Sequence, residues 1–378
     1  TPMIERFDVM AAKAGEDSDV ASEMFRLTDQ GGRELGLRFE MTFPLARYVG
    51  MNPMMKLPFK RYQMGPVFRD GPIKAGRYRE FWQCDVDVVG AGDMRADAEI
   101  IMLMDAVFKK LGLDVVLEVN DRKLLNEFME AAAIPQDLRQ SAIITLDKWK
   151  KIGEDGVIEE LKGKGIADES VAKLISFLNK DFEELAEALT ETPGIQELRE
   201  LFSWLDAAGV KYAFVPSLAR GLGYYTGPIF EAFFSDEKVM SSSIAGGGRW
   251  DNMIKEYLGK NVEYPAVGVS FGIEPIMEFI KQRDGLARAS VADIHVIPLG
   301  TEKECLKVAS DLRAQRLDIS MDLTGRNLRK NLDYADKLGI PYVAIVGSEE
   351  IAAGKIKLKD MKTGEEQLVS VEECEIGK

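Results

Sequence analysis

The 378-residue sequence holds one histidine, three cysteines and no apolar run approaching the roughly 20 residues that span a bilayer as a helix. Each scarcity removes a class of chemistry. His295 lies in ADIHVIPLG, which reads as a buried strand. Multi-histidine metal centres are therefore impossible, and Ser-His-Asp or Cys-His catalysis would have to run through that one ring. Cys84, Cys305 and Cys374 are odd in number, far apart and without CxxC spacing. That fits neither a disulfide framework nor a zinc site, and points to a reducing cytoplasmic setting. A secretory n-region and h-region are lacking, and the sequence opens on Thr1 rather than Met, so anything encoded upstream is invisible. Positive charge is also scarce: 49 Lys and Arg against 63 Asp and Glu give a net charge of −14. A non-specific nucleic-acid binder would need the opposite balance. Neither GxxxxGK[ST] nor a strand–helix G-x-G-x-x-G is present.

What is present is an ordinary globular composition, 46% apolar and 30% charged. The length suits two or three domains. Against the acidic background one stretch is basic: Lys56, Lys60, Arg61, Arg69, Lys74, Arg77 and Arg79, with Asp70 the one acid among them. It leads into RYREFWQCDVD, residues 77–87, which alternates as a strand does. The even positions Tyr78, Glu80, Trp82, Cys84 and Val86 are mostly apolar, so this face is expected to meet the core. The odd positions begin with Arg77 and Arg79 and end with Gln83, Asp85 and Asp87, a gradient from basic to acidic. With KRYQMGPVFRD and the loop GPIKAG, the strand forms an antiparallel hairpin with Arg69, Lys74 and Arg77 near its mouth.

Residues 121–208 change character. RKLLNEFMEAAAI, VIEELKGKGI, SVAKLISFLNK and IQELRELFSWLDAAG have helical spacing, with stops near AIPQD, GIADES and ETPG. Sheet signals return at YAFVPS and GPIFEAFF. From residue 291 strands and helices alternate (DIHVIPLG, EKECLKVASDLRAQ, DISMDL, NLRKNLDYADKLG, YVAIVG, KIKLKDM), the pattern of a small α/β domain.

Three further stretches suggest ligand chemistry. FEMT puts Glu40 and Thr42 two apart, hence on one face of a strand. RGLGYYTGPIFE sets Arg220 beside glycines and then Tyr224 and Tyr225; arginine suits phosphate or carboxylate, and glycine permits close backbone approach. AGGGRWD reads as a Gly-rich turn. Taken singly, paired tyrosines are more often core and a triple glycine more often a plain turn.

Taken in order, FEMT, FRDGPIKAGRYREFWQCDVD, LARGLGYYTGPIFE, AGGGRWD and GVSFGIE resemble histidyl-tRNA synthetases, class II aminoacyl-tRNA synthetases. The second resembles class II motif 2, and RGLGYY resembles the family's histidine-specific signature. MDLTGRNLRKNLDYADKLGIPYVAIVG looks like its anticodon-binding domain. The resemblance implies an α+β fold: an antiparallel-sheet catalytic domain over 1–120 and 209–285, a helical insertion over 121–208, and an α/β anticodon-binding domain over 291–378. It implies ATP-dependent activation of L-histidine and transfer to tRNA(His), with Mg²⁺ accompanying ATP, in a cytoplasmic homodimer without membrane attachment. The opening TP resembles the end of motif 1, which implies that the family's N-terminal helix, much of its dimer contact, is absent or encoded upstream.

By motif position, Arg69, Arg77 and Arg220 would bind ATP, with Arg69 and Arg220 stabilising charge on the α-phosphate. Glu40, Met41, Thr42, Gln83, Asp87, Tyr224 and Tyr225 would bind histidine. Three positions depart from the family pattern. Gly223 stands where aspartate is common, Trp250 where tyrosine is common, and Pro275 where motif 3 usually has an arginine that clamps ATP. Proline has no side-chain donor, which leaves Arg69 and Arg220, with Arg249 within reach, for phosphate. Two rival readings are a catalytically silent paralogue that binds histidine or a protein partner, and a tRNA-binding module without catalysis.

Overall fold

A computed structural model describes residues 1–8, 10, 23–73, 78–236, 240, 242–258, 262–285, 289–372, 374 and 376. The chain divides into two compact units, Thr1–Phe279 and Ile280–Lys378.

In the first unit, β1 (Ile4–Arg6), β2 (Arg26–Thr28) and β3 (Glu34–Leu37) form a small antiparallel sheet in the order β1-β3-β2. The main sheet has seven strands: β4 (Phe59–Phe68), β5 (Glu80–Val89), β6 (Val115–Asp121), β7 (Ala213–Phe214), β8 (Pro228–Phe234), β9 (Ala245–Arg249) and β10 (Ala266–Gly272). Their order is β4-β5-β10-β9-β8-β6-β7, antiparallel throughout except β6 with β7. Between β6 and β7 run six consecutive helices, Arg122–Ala131 to Pro193–Ala207.

Register decides what faces what. Asp87 pairs with Arg61 on β4 and Gly268 on β10, and Asp85 pairs with Gln63 and Ser270. The odd-numbered face of β5 is the inner one: Asp85 and Asp87 are each 3% exposed, whereas Trp82 is 47% exposed. The expectation that the apolar even face meets the core is thus reversed along this hairpin. Tyr62 and Met64 on β4 are exposed beside Trp82. The glycines of AGGGRWD form β9, a strand between β8 and β10, rather than a turn.

The opposite face of the sheet is covered in part by helix Met94–Leu111. Asp93 caps its start by accepting from Arg95 N at 2.9 Å, and Gly112, in the left-handed region at φ 63°, closes its end. Its buried stripe includes Ile100, Ile101, Met104 and Phe108, the last 5.6 Å from the Phe271 ring. Asp97 on this helix pairs with Arg249 at the end of β9, and both side chains are essentially sealed from solvent. Arg249 also reaches Asp251 Oδ1 and the carbonyls of Ala91 and Asp93. The expectation that Arg249 reaches phosphate fails on this account: its donors are spent anchoring the helix to the sheet.

The second unit holds β11 (Ile294–Pro298), β12 (Ile319–Met321), β13 (Tyr342–Val346), β14 (Lys355–Asp360) and β15 (Glu366–Ser370) in the order β12-β11-β13-β14-β15. The first three are parallel, and apolar clusters lie around Ile294 and Val296 and around Ile297 and Val343. His295 is buried in β11, 2.6 Å from Ser320 Oγ and 3.1 Å from Asn331 Oδ1. Its role is structural.

Breaking one side of a buried ion pair strands the other charge, at a cost of about 3–5 kcal/mol. Asp97→Ala should lower unfolding free energy by that amount in urea titrations, and adding Arg249→Met should recover part of it. Equal stability of the single variant and the wild type would refute the anchoring role.

Candidate active site

A single cavity in the first unit gathers eight of the residues singled out from sequence: Glu40, Thr42, Arg69, Gln83, Asp87, Arg220, Tyr224 and Tyr225. Glu40 and Thr42 do not share a strand. Glu40 lies in the loop after β3, and Thr42 opens the helix Thr42–Met51. Met41 between them is fully buried and does not line the cavity; its carbonyl accepts from Arg61 Nη2 at 3.1 Å. Arg77 and Lys74 lie outside the described residues.

Carboxyl groups dominate one part of the cavity. Glu40 Oε2 accepts from the Tyr224 hydroxyl at 3.0 Å, while Oε1 has no partner. Arg61 Nη2 lies 2.9 Å from Asp87 Oδ2 without the alignment of a hydrogen bond. Asp85 Oδ1, Gln83 Oε1 and Ser270 Oγ are also buried without partners. Burial lifts Glu40 to about 7, with Asp85 adding to it and Tyr224 opposing. It lifts Asp87 to about 7 against the pull of Arg61, and Asp85 to about 6. Asp87 can stand this close to β10 because its partner there is Gly268, where a Cβ would fall 2.1 Å from Oδ1.

Two arginines supply the opposite charge. Arg69 follows β4, and its guanidinium lies 4.2 Å from the Phe39 ring centroid and 5.1 Å from that of Phe81. Among the described residues its guanidinium makes one hydrogen bond, from Nε to Phe39 O at 3.4 Å, so its terminal nitrogens are uncommitted in a residue that lines the cavity. Arg220 donates from Nη1 to Glu231 and lies 5.5 Å from the Tyr225 ring, while its buried Nε has no partner. Tyr224 and Tyr225 pack at 4.6 Å, and Phe43 meets Tyr224 edge-on at 5.8 Å.

Several lining residues escaped sequence reasoning. Asp85 was within reach of it, since period-2 alternation puts it on the same face as Gln83 and Asp87. Ser270 and Leu222 carry no signal of their own. Pro275 sits in the first turn of helix Ile273–Asp284, packed toward Gly272, where a missing N–H costs nothing. The helix neighbour Glu274 accepts from Trp82 N at 2.7 Å. Among the described residues no cluster of three or more His, Cys, Asp or Glu is arranged to hold a metal ion.

An antiparallel sheet that sets arginines from one hairpin and one loop around a carboxyl-lined cavity, interrupted by a helical series and followed by an α/β unit, defines an α+β class II aminoacyl-tRNA synthetase fold. The chain belongs to the histidyl-tRNA synthetase family. Residues 1–276 match the family model for histidyl-tRNA synthetase, and residues 293–375 match that for an anticodon binding domain. The chain is 42% identical to histidine–tRNA ligase 1 of Bacillus cereus, over 98% of this chain and 89% of that protein. The crystal structure of histidyl-tRNA synthetase from Nostoc sp. PCC 7120 superposes with a TM-score of 0.78 at 30% identity, covering 98% of this chain and 88% of that one. A Bacillus halodurans structure described as an ATP phosphoribosyltransferase regulatory subunit/histidyl-tRNA synthetase superposes at 0.73 with 21% identity over 92% and 88%, a likeness of fold.

The raised carboxyls give the ligand-free protein a pH signature. Glu40, Asp85 and Asp87 hold protons more tightly folded than unfolded, so their contribution is fully present below the unfolded values of 4.5 and 3.8 and is lost as pH rises through about 6 to 7. Glu160, held near 2 by hydrogen bonds from Lys148, acts only at more acidic pH. The thermal midpoint should therefore fall between about pH 4.5 and 7.5. Glu40→Gln with Asp87→Asn should flatten part of that fall, and an unaltered slope would contradict the assignment.

Proposed function

We propose that the chain acts as a histidine–tRNA ligase, activating L-histidine with ATP and passing it to the 3′ end of tRNA(His), and that the cavity is where activation occurs. The observation that carries this reading is the charge layout of the hairpin. Asp85 and Asp87 lie toward the end of β5 that pairs with Arg61, and Arg69 lies at the other, so one cavity offers carboxyls to a cation and guanidinium donors to an anion.

Histidine's ammonium and ring would meet Asp87, Gln83, Glu40 and Thr42, with Tyr224 and Tyr225 enclosing the imidazole. Its carboxylate, already ionised, needs no base. It attacks the α-phosphorus of ATP in line, and pyrophosphate leaves. Arg69 and Arg220 stabilise the charge that accumulates on the α-phosphate oxygens, which is catalysis by position and electrostatics without a covalent enzyme intermediate. The terminal tRNA hydroxyl then attacks the adenylate carbonyl and AMP departs. Arg77 joins the nucleotide contacts in this reading. Mg²⁺ arrives on the triphosphate, as magnesium usually does where phosphates are handled, and no step depends on a protein-held ion.

The helical run 121–208 is read as an insertion within a catalytic domain over 1–285, with residues 291–378 contacting the anticodon. A cytoplasmic homodimer belongs to the same reading, and the exposed strip of Tyr62, Met64 and Trp82 is apolar surface it would bury. Sedimentation equilibrium returning only the 42.1 kDa monomer would remove that part. The silent-paralogue reading is less favoured because the anticodon-domain match covers residues 293–375.

Histidine-dependent ATP–pyrophosphate exchange tests the whole. Removing one member of a buried charge pair with a cationic ligand commonly costs about 2–5 kcal/mol. Asp87→Asn should accordingly raise the histidine KM at least roughly 30-fold with the ATP KM nearly fixed; equal effects on both would move Asp87 out of the amino-acid pocket. In the same assay Pro275→Arg should lower the ATP KM alone, by roughly 10-fold or more, since a charge-assisted contact is worth about 1.5–3 kcal/mol. Wild-type protein without any exchange would favour the silent paralogue.

A further inference from the structure

Arg220 is aimed by groups that no part of the reaction touches. Its guanidinium crosses β9 at Gly246, where a Cβ would lie 2.1 Å from Nη1 and 3.3 Å from Glu231 Cγ. Glu231, on β8, is the cross-strand partner of Gly246 on one side and of Glu118, on β6, on the other. Nη1 of Arg220 donates to Glu231 Oε1, while its buried Nε has no partner and the residue lines the cavity. Two carboxylates directly opposite on neighbouring strands repel each other. Here each has its own cation, because Glu118 Oε1 accepts from Lys150 Nζ at 2.6 Å. Lys150 belongs to helix Trp149–Gly163, and its Nζ lies 3.3 Å from the Phe233 ring centroid, which fixes it over β8. Asp147, three residues earlier, approaches the arginine's own loop: a Cβ on Gly221 would lie 3.4 Å from its Oδ2.

We propose that Glu231 is the positioning residue for Arg220, and that Lys150 of the helical series secures it by occupying Glu118, so that the helices between β6 and β7 help aim the arginine. This rests on the reading of Arg220 as the group that stabilises charge on the α-phosphate. Without Glu231 the guanidinium loses the hydrogen bond that holds Nη1 and samples other poses at the cavity wall. Without Lys150, Glu118 is left as a buried carboxylate with no cation, one strand from the Arg220–Glu231 pair, and competes with Glu231 for the arginine. Removing the charge of Glu118 relieves that competition.

The test is histidine-dependent pyrophosphate exchange, with melting curves to confirm folding, on Arg220→Ala, Glu231→Gln, Lys150→Met and the double variant Lys150→Met/Glu118→Gln. Glu231→Gln should lower kcat by about 10- to 100-fold, by analogy with the loss when the outer partner that orients a metal ligand is replaced. The histidine KM should stay within about 2-fold, because no amino-acid contact is altered. Lys150→Met should lower kcat in the same direction, and adding Glu118→Gln should restore most of it. A loss of helix packing cannot be repaired by neutralising a carboxylate on β6, so the rescue separates aiming from simple support. If Arg220→Ala is impaired while Glu231→Gln keeps wild-type kcat, the positioning role is wrong and the reading of Arg220 survives. If the double variant is as slow as Lys150→Met, the link to the helices is wrong. Wild-type kcat in Arg220→Ala would overturn the reading of the arginine itself.

Discussion

Placing three buried carboxyl groups around one cavity is electrostatically expensive, and much of the first unit is arranged around that expense. An unpaired buried charge costs several kcal/mol, so such groups either find partners or hold a proton. Glu40 takes the Tyr224 hydroxyl and Asp87 leans on Arg61, yet each keeps an oxygen without a partner, as does Asp85. The buried guanidinium of Arg38 adds positive charge beneath them, itself held by the carbonyls of Pro66 and Thr1. In the proposed reading, an ammonium group entering the cavity would meet these unpartnered oxygens.

The arginines are fixed by different physics. Arg69 lies between two rings and spends almost none of its hydrogen-bonding capacity on the protein. Arg220 is tied by an ion pair and passes over a strand that has no side chain at the crossing point. In both cases the guanidinium is held by protein groups alone, which in the proposed reading leaves little reorganisation for the moment of reaction. Glycine serves this purpose twice, at Gly246 on β9 for the arginine and at Gly268 on β10 for Asp87. Gly247 and Gly248 complete the triple glycine, where a Cβ would strike Gly268 O at 2.0 Å and Pro228 O at 2.6 Å respectively.

Much of this was legible in the chain. Period-2 alternation found the hairpin and grouped Gln83, Asp85 and Asp87, and helical spacing found the run between β6 and β7. Motif order located the cavity's main residues. The errors have physical causes. Alternation fixes which residues share a face but not which face is inward; here the apolar face of β5 at Trp82 turned outward because the polar face surrounds the cavity. AGGGRWD looked like a turn because glycine is common in turns, while its use as a gap for another residue's side chain depends on tertiary approach. Glu40 and Thr42 share the cavity through a loop and a helix start, not a strand. Arg249 was taken by Asp97, a partner 152 positions away. Glu231 and Ser270 sit in unremarkable strand contexts, and only register brings them to the site.

The single imidazole lies in the second unit, with both ring nitrogens engaged by Ser320 and Asn331. The first unit therefore has no imidazole anywhere in its sequence, and a nuclear magnetic resonance experiment that watches imidazole nitrogens meets no protein signal there. One resonance set belongs to His295, and any other must come from an added ligand. A site read as receiving histidine is thus housed in a scaffold nearly silent in histidine's own spectral window. The ionisation of a bound ring could be followed directly, without isotope labelling of the protein.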